Sequence, residues 1–599
     1  MYTIDLLKKA DSEVRVTESL DHEIQLTRKW DDNTCVSTLE NRGNQPVKVK
    51  EVVLFKGNYD SESIQQVYGE GYSMLSQYIG ELSSLKSISK FSDQDHYKIP
   101  QVKGFQTVYN LAVLTMNNGD QILLGFSSCH RFNGEIRFGN REFEIVLDLE
   151  GLSMGSGQLW ELEEFVIAIG NNREEVMDQL AGRIQINHPK LEVNEVPTGW
   201  CSWYSFGPNV MEKDIFANME SIAKEILDLK YIQIDDGYQP YMGDWLIPSA
   251  RFSSNIQSLC KVIREKGFEP AIWVAPFIAE ENSELFKEHP NWFVTDEDGH
   301  PLLSSKVSFG GWRRGPWYML DGTHPEAQQY LYEVFRTMQE DWGCHYFKLD
   351  ANMWGAMHGG FFHDSGATRV EAYRRGMQAV LEGAGKNGFL LGCNAPMWPS
   401  LGIVHGMRVT GDISRKWSAI SDLAKECFYR NWQHKRLWVN DPDCIVLENS
   451  KTKLIGPDGK DSIKNISNVS DNEFLFHATY IVASGGMVLS GDNIVNMTDE
   501  SIKILKKCLL PTNAPAHFES DAFRIGRMDL NGYSLVCLFN WENNASTFEV
   551  DLQGKCEIVD YWTDENLGIH ERKFRIENME PHSASLLKVT NISNHNLLI

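Results

Sequence analysis

Between residues 199 and 490 the chain repeats one pattern, a short apolar run of strand length followed by a stretch with helical period. Eight such runs are present: GWCSWYSF from 199, YIQIDDG from 231, PAIWVAPF from 270, HYFKLDA from 345, GFLLGCNA from 388, GMRVTGD from 406, RLWVNDPD from 436 and GMVLSGD from 486. Strands alternating with helices are the mark of βα units, and eight such units close a (β/α)8 barrel of the TIM type. Helices are expected at EKDIFANMESIAKEI, NIQSLCKVIREKG, PEAQQYLYEVFRTMQEDWG, TRVEAYRRGMQAVLEGAG and DNEFLFHATYIVASG. The third connection, from about 278 to 324, is long enough to build a loop or subdomain over the barrel mouth.

The flanks follow a different period. Runs such as HEIQLTRKW, QPVKVKEVVLF and REFEIVLDL alternate apolar and polar residues, as in an antiparallel sandwich, and so do FRIGRMDL, YSLVCLFNW and STFEVDL near the end. The expected organisation is an N-terminal β-sandwich over 1–190, a catalytic barrel over 191–511 and a C-terminal antiparallel β domain over 512–599. The sandwich shows no titratable cluster of catalytic spacing, so a packing or substrate-framing role is expected of it.

Charge narrows the partners. Lys+Arg 57 against Asp+Glu 82 gives 57 − 82 = −25, which argues against nucleic acid or an anionic membrane and suits a neutral ligand such as an oligosaccharide. The start, MYTIDLLKKADSEVRV, has no apolar core of signal-peptide length, and no run of 18 or more apolar residues occurs, so a cytoplasmic protein is expected. Eleven scattered cysteines without CxxC pairs read as reduced thiols, neither a disulfide framework nor a zinc cluster. No cofactor is expected, and a homo-oligomer is compatible with the sequence.

The chemistry is concentrated in carboxylates at the carboxyl ends of the runs: Asp235 and Asp236, Asp350, Asp412, Asp441 and Asp443, and Asp492. In a barrel those ends form the face that carries the active site. Lys348 and Asp350 share one strand face, so the ammonium can hold the carboxylate ionised and aimed, as attack on a sugar carbon requires. A salt bridge at a sheet end is the bland alternative. Asp412 ends GMRVTGD among small and apolar neighbours, where burial is expected to raise its pKa and suit it to the acid role. Arg408 lies four residues earlier, roughly 13 Å away along an extended strand, so a direct pair needs a bend, which Gly411 permits. Asp235 and Asp236 can both reach a ligand only where the strand turns, as Gly237 allows. Paired acceptors suit sugar hydroxyls such as O4 and O6, the alternatives being a metal site or a turn with a helix cap.

Taken in order, GWCSWYSF, YIQIDDGYQ, GDWL, EHPNWFV, LDGTHPE, FKLD, the R-x-x-x-D of 408–412 and NDPD at 440–443 resemble glycoside hydrolase family 36, the α-galactosidase and α-N-acetylgalactosaminidase family. The resemblance covers about residues 195–500 and implies a retaining exo-acting α-glycosidase that uses no cofactor. It implies Asp350 as nucleophile and Asp412 as acid/base. Asp235 and Asp236 are then placed at O4 and O6, Lys348 at a ring hydroxyl, Trp273 at the sugar face and Arg408 near O2. Trp203, in the first run, joins the substrate-binding set. Cys393 and Asn394 fall where the family has a cysteine before a glycine-rich loop near the C2 substituent. Here the glycines are missing, and Ala351-Asn352 follows the nucleophile where the bacterial α-galactosidases carry Asn-Arg a little further on. The choice between a 2-hydroxyl and a 2-acetamido group stays open.

Three other readings remain. A metal-dependent hydrolase would use His358, His363 and Asp364 in HGGFFHD, although these sit in a Gly-rich loop without an H-x-H strand motif. A transglycosylase uses the same two carboxylates. A non-catalytic sugar-binding protein needs no opposed acid and nucleophile.

Overall fold

The computed structural model describes residues 4–17, 23–59, 61–455, 461–510 and 512–592. At its centre eight parallel strands follow one another around a nearly closed barrel. They are β1 (Thr198–Cys201), β2 (Tyr231–Ile234), β3 (Glu269–Val274), β4 (Tyr346–Leu349), β5 (Phe389–Gly392), β6 (Gly406–Arg408), β7 (Val439–Asp441) and β8 (Val488–Ser490). β1 to β7 pair in sequence order and β8 pairs with β1. Between β7 and β8 the ladder thins to single bonds such as Met487 N–H to the Asn440 carbonyl, 2.9 Å.

The strands are apolar on both faces for a physical reason. Trp200, Ile232, Ile272, Phe347, Leu390 and Met407 point outward into the large core shared with the helices. Cys201, Ala271, Tyr346, Leu391, Val439 and Leu489, offset by one residue, fill the barrel interior. The helices are α1 (Glu212–Glu225), α2 (Ile256–Glu265), α3 (Pro325–Glu340), α4 (Arg369–Ala384), α5 (Trp417–Arg430), α6 (Asp471–Ser484) and α7 (Asp499–Cys508). In α2 the buried residues Ile256, Leu259, Cys260 and Ile263 recur at the helical spacing. No α-helix links β5 to β6; a single 3-10 turn, Trp398–Ser400, does so. The long third connection contains a two-stranded hairpin, Ile278–Glu280 with Trp317–Met319.

Before the barrel, two antiparallel sheets of five and nine strands face each other across a core that includes Leu54, Phe55, Ile145 and Leu147 from one and Leu39, Leu114, Leu124 and Ile167 from the other. After it comes a six-stranded antiparallel sheet. Its central strand Tyr533–Asn540 shows why alternation was visible there. Leu535, Cys537 and Phe539 pack onto the barrel helices, with the Phe539 ring 4.9 Å from that of Phe476 on α6, while Val536 and Leu538 belong to the sheet's own core. No described helix is long and apolar enough to cross a membrane.

The sandwich is joined to the barrel by a fully buried ion pair, Arg430 of α5 with Glu70, at 2.7 Å. Arg430 also donates to the carbonyls of Met74, Ser76 and Val409. Removing one member strands a charge in the interior. Arg430→Met is therefore expected to cost about 3–5 kcal/mol of unfolding free energy, with the double variant Glu70→Met/Arg430→Met costing less, as read by denaturant titration.

Candidate active site

A cavity of about 930 Å³ opens at the carboxyl ends of the barrel strands, and Asp235, Asp236, Trp273, Lys348, Asp350, Cys393, Asn394, Asp412 and Trp203 all line it. Arg408 lies behind this wall with its side chain almost fully buried. Asp441, Asp443 and Asp492 are structural neighbours. Asp441 and Asp443 hold Arg408 at 3.0 and 2.8 Å, and Asp492 holds Arg415 at 2.6 Å.

Asp350 follows directly on β4. Its backbone N–H donates to the Val274 carbonyl at 2.8 Å, which continues the ladder to β3 by one residue. The chain then turns sharply, with Ala351 in the left-handed region at φ 52°. That turn brings the Ala351 N–H to Asp350 Oδ1 at 2.6 Å, while the Trp273 indole N–H reaches Oδ2 at 3.1 Å. Lys348 does not bond this carboxylate. Its ammonium donates to Asp235 Oδ2 at 3.0 Å, past β3 from β4 to β2, because inward-facing side chains of alternate strands share one layer of the barrel interior. The expected Lys348–Asp350 pair is thus replaced by Lys348–Asp235. Burial raises the pKa of Asp350 above the usual carboxylate value, and the nearby Lys348 charge opposes that rise, as do the two N–H groups.

Asp235 and Asp236 are both buried. Gly237 makes this arrangement feasible: its φ is 126°, and a Cβ there would lie 2.7 Å from the Pro208 carbonyl oxygen. Asp235 accepts from Lys348, from Gln233 at 2.7 Å and from the Asp236 N–H at 2.8 Å. Asp236 accepts from Gln239 at 2.8 Å and Arg313 at 2.7 Å, and burial pushes its pKa up to about 6.

Asp412 departs from expectation. β6 stops at Arg408, so the 13 Å separation of an extended strand does not apply and Arg408 Nη1 reaches Asp412 Oδ1 at 3.0 Å. The Asp412 side chain is 67% exposed, since it sits on the loop beyond the strand at the cavity mouth and is not enclosed by the apolar neighbours of its segment. Its backbone is held from behind by α5. The Glu426 carboxylate accepts the Gly411 N–H at 2.7 Å, and Arg430 donates to the Val409 carbonyl at 2.9 Å. Burial pushes the Glu426 carboxyl up to about 7.

Asn394 accepts a hydrogen bond from the Tyr97 hydroxyl of the sandwich, and its N–H meets the Met74 sulfur at 3.2 Å. Cys393 is buried, which pushes its thiol well above the ordinary value. Met74, Leu75, Phe91 and His96 bring the sandwich into the cavity wall, a contribution the sequence reading left unspecified. Trp312 and Arg313 from the third connection were likewise not singled out; the only signal was a basic, tryptophan-rich GWRRGPW in a long loop. Two of the three residues of the metal alternative are engaged elsewhere. His358 Nε2 lies 3.0 Å from the Tyr97 carbonyl, and Asp364 pairs with Arg375 at 2.7 Å. Among the described residues the group with metal-ligand proximity is Asp296, Asp298 and His300, in a different loop.

A parallel eight-stranded barrel flanked by antiparallel sheets, with carboxylates converging on one cavity at its strand ends, defines the class: a multidomain protein built around a parallel eight-stranded barrel. Residues 211–381 match the Melibiase family model. It is 29% identical over 154 residues to the myogenesis-regulating glycosidase of Mus musculus, a stretch that is 25% of this chain and 20% of that protein. The match thus spans about a fifth of that curated relative's length. Among solved structures, the α-galactosidase TtGalA from Thermus thermophilus in complex with p-nitrophenyl α-D-galactopyranoside superposes with a TM-score of 0.63 at 21% identity, covering 84% of this chain and 97% of that one. The GH36 α-galactosidase AgaA from Geobacillus stearothermophilus gives a TM-score of 0.64 at 13% identity, covering 95% and 81%.

Trp273→Phe removes a donor that favours the charged form of Asp350. The Asp350 pKa is therefore expected to rise further, as read from carboxyl 13C shifts in aspartate-labelled protein titrated from acid to neutral pH.

Proposed function

We propose that this protein is a retaining exo-acting α-glycosidase that removes terminal α-linked galactose from oligosaccharides or glycoconjugates. The observation that carries this reading is the convergence of Asp350, Asp412 and the Asp235–Asp236 pair on one cavity. The sugar-bound relatives among the solved structures support an oligosaccharide ligand.

In this mechanism Asp350 attacks the anomeric carbon. Its two N–H partners fix the carboxylate direction, and the Lys348 charge favours the ionised form against the effect of burial. Asp412 gives a proton to the departing glycosidic oxygen, forming a covalent glycosyl-enzyme, and then takes a proton from the water that hydrolyses it. Its exposed position suits this work, because the leaving group departs through the mouth and water enters there. Asp235 and Asp236 accept hydrogen bonds from sugar hydroxyls, and Trp273 and Trp203 wall the sugar. Arg408, held by three carboxylates, fixes Asp412 from behind. Cys393 and Asn394 bound the position next to Asp350, where the sugar's C2 substituent is placed.

Asp350→Asn is expected to abolish turnover of aryl α-galactosides, with added azide restoring it as the β-galactosyl azide; unchanged activity in the variant overturns the nucleophile assignment. Asp412→Ala is expected to lose at least about 100-fold on substrates with poor leaving groups and far less on activated ones. Equal losses on both exclude an acid role. A side-by-side assay of 4-nitrophenyl α-galactoside and α-N-acetylgalactosaminide, with NMR of the first-formed anomer, decides the C2 group and the stereochemistry together.

A further inference from the structure

Asp412 is located by polar tethers rather than by packing. β6 ends at Arg408, and the Asp412 side chain beyond it is 67% exposed. Three hydrogen bonds hold this stretch of loop. Arg408 Nη1 reaches Asp412 Oδ1 at 3.0 Å, the Ile413 N–H donates to Asp443 Oδ2 at 2.6 Å, and the Gly411 N–H donates to Glu426 Oε2 at 2.7 Å. The backbone amides on either side of the proposed acid/base thus each rest on a buried carboxylate.

The two carboxylates differ in what surrounds them. Asp443 faces Arg408 at 2.8 Å. Among the described residues no cation bonds Glu426: Arg430, about one turn further along α5, gives its donors to Glu70 and to the Met74, Ser76 and Val409 carbonyls. Burial pushes the Glu426 carboxyl up to about 7. The Gly411 N–H, the Arg430 charge and the Ser89 hydroxyl of the sandwich oppose that rise, and the Asp422 charge, on the preceding turn of α5 and facing Lys425, adds to it. The next residue, Cys427, is a neutral thiol, since burial pushes it up. Glu426 also lines the cavity, so water there supplies the proton when the carboxylate takes one up. A protonated carboxyl accepts an N–H more weakly than a carboxylate and has its own O–H to place.

We propose that Glu426 is a positioning residue for the acid/base: its ionised carboxylate fixes Gly411, and through Gly411 the reach of Asp412 to the departing glycosidic oxygen, and protonation of Glu426 loosens that hold. The proposal deepens the glycosidase reading and rests on it. Of the three tethers, Glu426 is the one that comes from outside the Arg408–Asp443 network and meets the cavity directly. Acidification through its raised pKa therefore acts on the position of Asp412 while Arg408 stays in place.

The test compares wild type with Glu426→Gln, which keeps the shape of the side chain and stands for its protonated form, with unfolding midpoints as the control for folding. The substrates are methyl α-galactoside, whose leaving group needs a proton, and α-galactosyl fluoride, whose leaving group does not. At about pH 8 the variant is expected to lose about 10-fold in kcat/KM on the methyl glycoside and little on the fluoride. At about pH 5.5, where Glu426 of the wild type also carries a proton, the gap on the methyl glycoside is expected to close to about 2-fold or less. Equal losses on both substrates, or a gap that does not change with pH, overturn the proposal. If wild type turns over neither substrate, the glycosidase reading fails, and the Gly411 amide still decides whether Glu426 holds the loop. Labelling threonine carbonyls with 13C and glycine with 15N selects the two Thr-Gly dipeptides, 198–199 and 410–411. The Gly411 amide shift is expected to titrate with a midpoint near 7 in wild type and to stay flat in Glu426→Gln. A flat wild-type shift overturns the hold.

Discussion

The buried guanidinium of Arg430 is the point at which the separate parts of this chain become one site. With Glu70 as its ion pair and the Met74, Ser76 and Val409 carbonyls as acceptors, its donors are engaged by both the sandwich and the barrel. The Glu70 carboxylate in turn receives Tyr68 and Gln433. An ion pair in such a dry place contributes little net stability when complete, but any arrangement that separates its members is strongly disfavoured. It therefore fixes where the sandwich sits more than how strongly it sits. Segment 72–76 is carried with it: Met74 N–H donates to the Ala395 carbonyl and Met397 N–H to the Tyr72 carbonyl, each at 2.9 Å. The loop after β5 and the backbone leading to Asp412 are thus located by the same side chain.

Electrostatics inside the cavity follow a consistent division. Asp235 has Lys348, Asp236 has Arg313 and Asp412 has Arg408, so three of the four acidic positions named for the site have a direct cationic partner. Asp350 has N–H donors instead. The proposed acid/base Asp412 shares the cation-paired arrangement with Asp235 and Asp236, whereas the proposed nucleophile keeps only neutral donors at hydrogen-bond distance.

Much of this was legible in the sequence because strand-end position in a barrel is a strong constraint. Once the eight runs are taken as β1–β8, Asp235, Asp236 and Asp350 must lie at one face, and Asp412 four residues past β6 must overhang it. What was not legible has physical reasons too. Partner choice inside a narrow barrel depends on side chains of alternate strands, so Lys348 was assigned to Asp350, its neighbour two residues on, and not to Asp235, 113 residues away. Burial at a strand end depends on where the strand stops. GMRVTGD reads as one strand, yet only Gly406–Arg408 pairs, which leaves Asp412 at the mouth. Helix α5, whose Glu426 and Arg430 back the site, carries its apolar stripe on a face interrupted by these two buried charged residues, which masks the amphipathic pattern. The contributions of Met74, Tyr97 and Arg313 arise from long-range contacts that no local period encodes.

The relocation of Lys348 also bears on how the proposed nucleophile would work. A lysine bonded directly to Asp350 would take up a carboxylate lone pair and stabilise the charge before attack, and that stabilisation would be lost as the oxygen bonds to carbon. With Lys348 placed on Asp235, its field still favours ionisation of Asp350 while the attacking oxygen keeps its lone pairs. The donors that remain are geometrically selective: Ala351 N–H and Trp273 N–H contact different oxygens, so the carboxylate is oriented as a plane rather than held at one atom. Ala351 reaches its oxygen only through a left-handed backbone that costs an alanine about 1–2 kcal/mol, a strain that the buried packing of 351–356 sustains beside the reacting group.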